Sequence, residues 1–373
     1  VDDLAGAAAA FGEVRDSDLG RESPFVRAVA LMGLGMVACA RGDYSEAEGR
    51  LDAALTAARD LRHPWLEGQV LLNQLALYRL SANADRFLAI YAHFVPTCQT
   101  INDRWTAAAG QVEAAELFVR LGAWARAKRL IEAATVAADA LAAALLKARL
   151  LLAAARLHLD GGEPGYADAA AQALPIAARL GVPHLLAEAW LLTGLLRQRQ
   201  GQWAEAADAL RQARASAQGE VAARLLPEIV GAQAHLALER GETREALACV
   251  EELLAGAPVP LIDQATDPGS LYWICYTVLD AAGEPWAEQL LARGGRWLRQ
   301  QADLIEDAEL RRSFCENIPR HRELWALGAS LTSTPGPFSS PHNGEEKAFG
   351  GRFFMAAPPD RVPVQLVSVK VAP

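Results

Sequence analysis

Residues 187–213, AEAWLLTGLLRQRQGQWAEAADALRQA, read as two amphipathic helices joined at Gly201, with small residues where the helices must touch. Trp190 opens the first helix, Gly194 permits close approach, and Ala206, Leu210 and Ala213 lay an apolar stripe along the second behind Trp203. Neither helix can bury its stripe alone. The unit therefore requires neighbours built the same way.

The neighbours are present. Glycines at the equivalent break, Gly42, Gly122, Gly161, Gly201, Gly241 and Gly283, are separated by 80, 39, 40, 40 and 42 residues, so the period is about 40. The double interval has its missing break near Ala82, in the polar segment LSANADRF. Glycine suits such a site because a left-handed residue closes a helix C-terminus, and a side chain there costs about 1 kcal/mol. The second helix repeats its stripe as Tyr44, Ala47, Leu51, Ala54; as Trp124, Ala127, Ile131, Ala134; and as Thr243, Ala246, Val250, Leu253. One period before Tyr44 the same pattern falls on Leu4, Ala7, Phe11 and Val14. That is a second helix without its first, which leads to the expectation that the array continues upstream of Val1.

Toward the other end, the proline-bearing run from Gly256 to Gly269 reads as a longer loop, and Leu271–Gly283 with Pro285–Leu304 form a seventh unit. Its second helix contains Gly294 and Gly295, which mark either a kink or a close contact with the next helix. Residues 305–330, IEDAELRRSFCENIPRHRELWALGAS, read as a short helix, a stop at Pro319 and a final capping helix. From Thr332 the composition becomes rich in Pro, Gly and Ser, and Val362–Val371, VPVQLVSVKV, has the pattern of a lone strand.

The spacing of Trp190, Gly194, Gly201, Trp203, Ala206, Leu210 and Ala213 resembles the tetratricopeptide repeat. The 40-residue length, with the 305–325 segment, is similar to the helical arm of large bacterial signalling ATPases and transcriptional regulators of the MalT-like type. The expected fold is all-α: a tetratricopeptide-like α-α superhelix of about seven 40-residue hairpins plus a leading half repeat, a C-terminal capping helix and an irregular tail. Residues 1–331 form the repeat domain, and 332–373 form a linker that is disordered or begins a further domain. Since each unit packs on its neighbours, the array should be an elongated right-handed superhelix whose ends do not meet.

Composition agrees with a helical chain: 52% of residues are hydrophobic and 22% charged, and alanine and leucine dominate. A net charge of −9 argues against a nucleic-acid footprint. The five cysteines are scattered without a CxxC pair, which suits a reducing, cytoplasmic setting. The longest apolar tract, Ala137–Ala155, is broken by Asp139, Lys147 and Arg149 and is not a membrane span.

No GxxxxGK[ST] loop, HExxH helix, GxSxG elbow or GxGxxG turn occurs. No catalytic residue, cofactor or metal site is expected, and neither is binding of ATP or GTP; any nucleotide-dependent activity would belong to domains outside this chain. His158 and His235 lie too far apart in register to share a metal. Arg311, Arg312, Arg320 and Arg322 are interleaved with Asp307, Glu309, Glu316 and Glu323 and read as helix-surface salt bridges. Most of the tryptophans read as core, with Trp273 facing the groove.

In the resemblance, the groove is lined by first-helix positions, which fall here on Met32, Met36, Gln69, Arg79, Glu116, His158, Leu195, Gln198, His235 and Trp273. Its centre reads as largely apolar. The implied function is a non-catalytic interaction or signal-sensing arm of a bacterial regulator; a free-standing adaptor that scaffolds partners is the alternative. The groove's partner is a protein or peptide segment, the parent protein's own chain included, with no direct nucleic-acid or membrane contact.

Overall fold

The computed structural model describes residues 3–255 and 260–332; among these the chain is helical, with short 3-10 turns and no strand. The expected strand at 362–371 and the linker before it lie outside the described residues. Two leading helices, α1 (Leu4–Asp16) and α2 (Asp18–Glu22), precede the hairpins α3 (Pro24–Arg41) with α4 (Tyr44–Asp60), α5 (Pro64–Leu80) with α6 (Ala84–Ile101), and α7 (Arg104–Arg120) with α8 (Trp124–Ala140). Next come α9 (Ala144–Gly161) with α10 (Ala169–Leu180) and α11 (Pro183–Arg199) with α12 (Trp203–Ser216). A short α13 (Gly219–Ala222) leads into α14 (Leu226–Glu239) with α15 (Thr243–Leu254). Then follow α16 (Pro268–Ala281) with α17 (Ala287–Asp303), and the cap α18 (Ala308–Glu316) and α19 (Pro319–Thr332). This is the expected α-α superhelix.

The breaks are more regular than glycine reveals. Within hairpins the left-handed residues are Gly42, Ala82, Gly122, Gly162, Gly201, Gly241 and Gly283, so Ala82 supplies the missing break and Gly162, not Gly161, closes α9. Between hairpins, Arg62, Asn102, Ala142 and Gly181 do the same. The chain thus reverses every 20 residues or so. At nearly every reversal the N–H beyond the left-handed residue returns to the carbonyl five residues back, as in Asp43 to Ala38, Asn83 to Tyr78 and Ala143 to Ala138, each at 2.9 Å. These bonds satisfy carbonyls that the helix end leaves unpaired.

Small residues set the distance between helices. A Cβ at Gly35 would lie 2.8 Å from Leu51, and one at Gly194 would lie 2.8 Å from Leu210, the same pairing in two hairpins. The second-helix stripes Ala47–Leu51–Ala54, Ala127–Ile131–Ala134 and Ala206–Leu210–Ala213 are buried as expected. In the leading α1, Leu4 is buried and Phe11 packs over Gly33, but Val14 is exposed. Helix α17 runs unbroken through Gly294, where a Cβ would sit 2.7 Å from Tyr272 and 3.2 Å from Leu324. Gly294 therefore marks close contact within an unbroken helix.

The tryptophans depart from expectation: none is fully buried, and Trp203 is 47% exposed. Trp203 is the first residue of α12. Helix α3 is long and apolar enough to cross a membrane by length and composition; here its Ala28, Ala30, Leu34, Val37 and Ala38 are packed inside the array.

The superhelix also departs from an open rod, because distant units touch along two seams. In one, the Arg224 guanidinium lies over Gly42, and a cavity of about 430 Å³ between α3 and α14 is lined by Ala40, Arg41, Arg224, Pro227 and Leu261. In the other, the cap reaches repeats two and three. The Asn317 amide donates to the Gly122 carbonyl at 2.8 Å, Arg126 pairs with Glu309 at 2.5 Å, and Asp85 accepts the Glu306 N–H at 3.1 Å. Ile305 and Phe314 close this seam against Ala82, Leu117 and Leu121. Units far apart in sequence thus meet once the array has curved round, contrary to the expectation of contacts between neighbours alone.

Two substitutions test the helix geometry by chemical denaturation. Gly194→Ala should destabilise by about 1–3 kcal/mol through overpacking against Leu210. Ala142→Gly, at an exposed left-handed site, should stabilise by about 0.5 kcal/mol, because the relieved Cβ strain exceeds the added unfolded-state entropy. A loss of stability at position 142 would show that its backbone is not held left-handed in solution.

Candidate functional site: a charged inner face

First helices of successive hairpins pack on one another in the order α3, α5, α7, α9, α11, whereas the second helices of neighbouring hairpins make no comparable packing among the described residues. A layer whose members touch must lie inside one whose members splay, so the first helices form the concave face. Heptad-spaced Arg149 and Arg156 on α9, and Glu113, Glu116 and Arg120 on α7, point their charges along this face.

At its centre is an ion-pair ring drawn from three helices. Arg79 of α5 lies 2.6 Å from Glu113 and 3.1 Å from Glu116 of α7, and Arg149 of α9 lies 2.7 Å from Glu113 and 2.6 Å from Glu116. Burial alone would raise the Glu113 pKa, but Arg149 and Arg79 outweigh it and hold the carboxyl down at about 2. The same carboxylates outweigh burial at Arg149 and Arg79 and raise both guanidiniums. Further along, Arg156 stands 3.5 Å from Glu188 of α11.

Beyond the ring, α16 packs against α14 and α19. His321 is 1% exposed; its Nε2 lies 2.9 Å from Asp267 and its Nδ1 2.9 Å from the Phe314 carbonyl. Burial opposes the imidazolium, yet Asp267 outweighs burial and raises the His321 pKa, while burial of Asp267 is overcome by His321 and by Ser270, so the carboxyl is held well below its usual range. Trp297 and Phe314 enclose the imidazole edge-on, with ring centres 6.1 and 4.6 Å away. Arg120 donates to the carbonyls of Arg79 at 2.7 Å and Thr266 at 3.0 Å.

The residues expected in the groove divide into those built into structure and those left facing outward. Arg79 and Glu116 belong to the ring. Gln69 donates to Thr106 at 2.6 Å, and Gln198 is buried against His235 at 2.6 Å and Glu239 at 3.0 Å. His158 meets the Glu163 carbonyl at 2.7 Å, so the two histidines engage separate partners, and no metal-binding cluster occurs among the described residues. Burial, then the nearby Arg320, lower the His235 pKa. Leu195 and Trp273 are half-buried and pack on the core, Trp273 beside Tyr276, while Met36 is exposed on α3 and Met32 half-buried.

Two expectations are corrected here. The centre of the face is charged, not apolar, because Glu113, Arg149, Arg156 and Glu188 join Arg79 and Glu116 there. Among the described residues, the 307–323 charges form no ion pair along their own helices: Asp307 and Glu309 reach Arg126, and Arg311 donates to the Ile305 and Glu306 carbonyls. The available sequence signal was the heptad spacing of Arg149 and Arg156 within the apolar run ALLKARLLLAAARLHLD.

No family model and no curated protein matches the sequence. Among solved structures, the chain is similar to a Rap protein complexed with competence and sporulation factor, with a TM-score of 0.55 and 13% identity over 89% of this chain and 99% of that one. At that identity the likeness shows the fold, a helical repeat superhelix, and not the site.

Breaking the ring should be costly. Glu113→Gln should destabilise by about 3 kcal/mol, since it leaves two recessed guanidiniums short of a carboxylate. The His321–Asp267 pair gives a pH signature. The raised histidine stabilises fully below its unfolded pKa, near 6.5, and loses that stabilisation as pH climbs through the higher folded value; the lowered aspartate stabilises above about 3.9 and fails in acid. Amide exchange in α19 should therefore accelerate, beyond the intrinsic base-catalysed rate, as pH rises above about 6.5. The excess should vanish in His321→Gln.

Proposed function

We propose that this chain is a non-catalytic interaction module whose concave face receives a protein or peptide segment. The observation that carries the reading is the continuous inner layer of first helices bearing charged and amide side chains from α5 to α14, a surface shaped for an elongated occupant and not for a buried small-molecule core. The Rap protein of similar fold, solved as a complex with competence and sporulation factor, supports it. Within a bacterial regulator of the MalT-like type, the module is the arm that senses a partner and reports to domains beyond this chain. The cap that docks back across repeats two and three supports such reporting, because an occupant that alters the curvature of the array also strains that seam.

Photo-crosslinking tests the reading. A benzophenone side chain placed at Arg156, on the inner face, should give partner adducts, and the same group at Val136, 72% exposed on the outer α8, should give none. Adducts from position 136 alone would move the partner to the convex face. Excess unlabelled partner should abolish the inner adduct.

A further inference from the structure

The two seams that close the array differ in charge. Where the cap meets the third hairpin, Arg126 faces Asp307 and Glu309, so opposite signs come together. Where the first hairpin meets the sixth, two positive charges come together instead. Arg41, in the last turn of α3, and Arg224, in the 3-10 turn Ala223–Leu225 that leads into α14, line one cavity of about 430 Å³. The Arg224 Nη2 lies 3.1 Å from the point where a Cβ on Gly42 would stand, so its guanidinium reaches the residue next to Arg41.

Neither arginine makes an ion pair or a hydrogen bond among the described residues, and among these no Asp or Glu lines the cavity. The acids that immediately flank the lining positions are placed otherwise. Asp43 is exposed, Glu228 accepts the Thr266 N–H at 2.8 Å, and Asp263 holds Arg293 and the Tyr272 hydroxyl at 2.6 Å each. The carbonyl end of α3 draws positive charge to this place, but one helix end supplies only about half an elementary charge against two guanidiniums. Their mutual repulsion falls when an anion lies between them.

We propose that this cavity binds a small phosphate monoester, its charged head between Arg41 and Arg224 and its carbon body against Ala40, Ala223, Pro227 and Leu261. A guanidinium takes phosphate oxygens through paired hydrogen bonds, and a phosphate monoester near neutral pH carries about −1.5 to −2 charges, enough for both arginines where one carboxylate balances one. The volume falls within the range of small-molecule sites, roughly 300–1,000 Å³, and the apolar part of the wall suits a carbon body better than a bare ion. This is a second site, and it does not depend on the concave face as the peptide surface. One wall belongs to the first hairpin and the other to the sixth and its flanking turns, so the occupant bridges the seam and favours the closed curvature.

Calorimetry on the full chain tests the site with three probes: phenyl phosphate, inorganic phosphate and benzoate. Phenyl phosphate should bind saturably and about tenfold or more tighter than either of the others. Arg41→Gln and Arg224→Gln, each with an unchanged circular dichroism melt, should weaken it about tenfold each. Ala223→Glu, at an exposed position where folding tolerates a charge, should abolish binding by placing a carboxylate between the arginines. In the parent chain, saturation should slow amide exchange at Gly42, Asp43 and Leu225. No saturable signal with phenyl phosphate would overturn the site, while crosslinking at Arg156 would still report separately on the concave face. Equal affinity for benzoate would overturn recognition of a dianion, and equal affinity for inorganic phosphate would overturn the organic body. Binding that survives Arg224→Gln and Ala223→Glu would place the phosphate elsewhere and overturn the cavity.

Discussion

The structure depends on closing a helix about every twenty residues with one left-handed residue and a bond reaching five residues back. Such a closure fixes both the length of each helix and the angle at which the next departs, so a constant interval yields a constant curvature. The closures at Gly42, Ala82, Gly122 and Gly162 keep a step of 40. Where the interval slips, before Gly201 and before Gly283, the chain also carries irregular pieces: the turn at Pro164–Tyr166 and the turn at Leu261–Gln264 before α16.

Much of the fold was legible because the physics behind it is local. Glycine where φ is positive, alanine where helices approach and proline at helix starts each leave a mark at a single position. Arg62 and Ala142 left none, since a residue that tolerates the left-handed region at a cost looks like any other, and Ala82 was marked only by the doubled glycine interval around it. The seams were illegible for a different reason. Asn317 meets Gly122 only because several small angles accumulate over five hairpins, and no residue records that sum.

The inner face was read from single positions and so was half seen. Arg79 and Glu116 fell on the expected register, but their partners Glu113 and Arg149 were hidden, the first behind its i+3 neighbour and the second as a mere interruption of an apolar run. Charges in a recess are informative in sets. Arg79, Glu113, Glu116 and Arg149 are matched to one another across three helices and therefore belong to the scaffold.

The seam between the cap and the early repeats alters how such a chain can fold. A stack in which each unit touches only the next can nucleate anywhere, unravel from its ends and tolerate the loss of a terminal unit. Here Arg126 and Glu309 stand 183 residues apart in sequence and Asp85 and Glu306 stand 221 apart, contacts whose loop-closure entropy must be met late and all at once. Fraying at α18 is thereby felt at α6 and α8 in the first half of the array. The solenoid gives up the independence of its repeats and melts more nearly as a globular domain does, in one cooperative step.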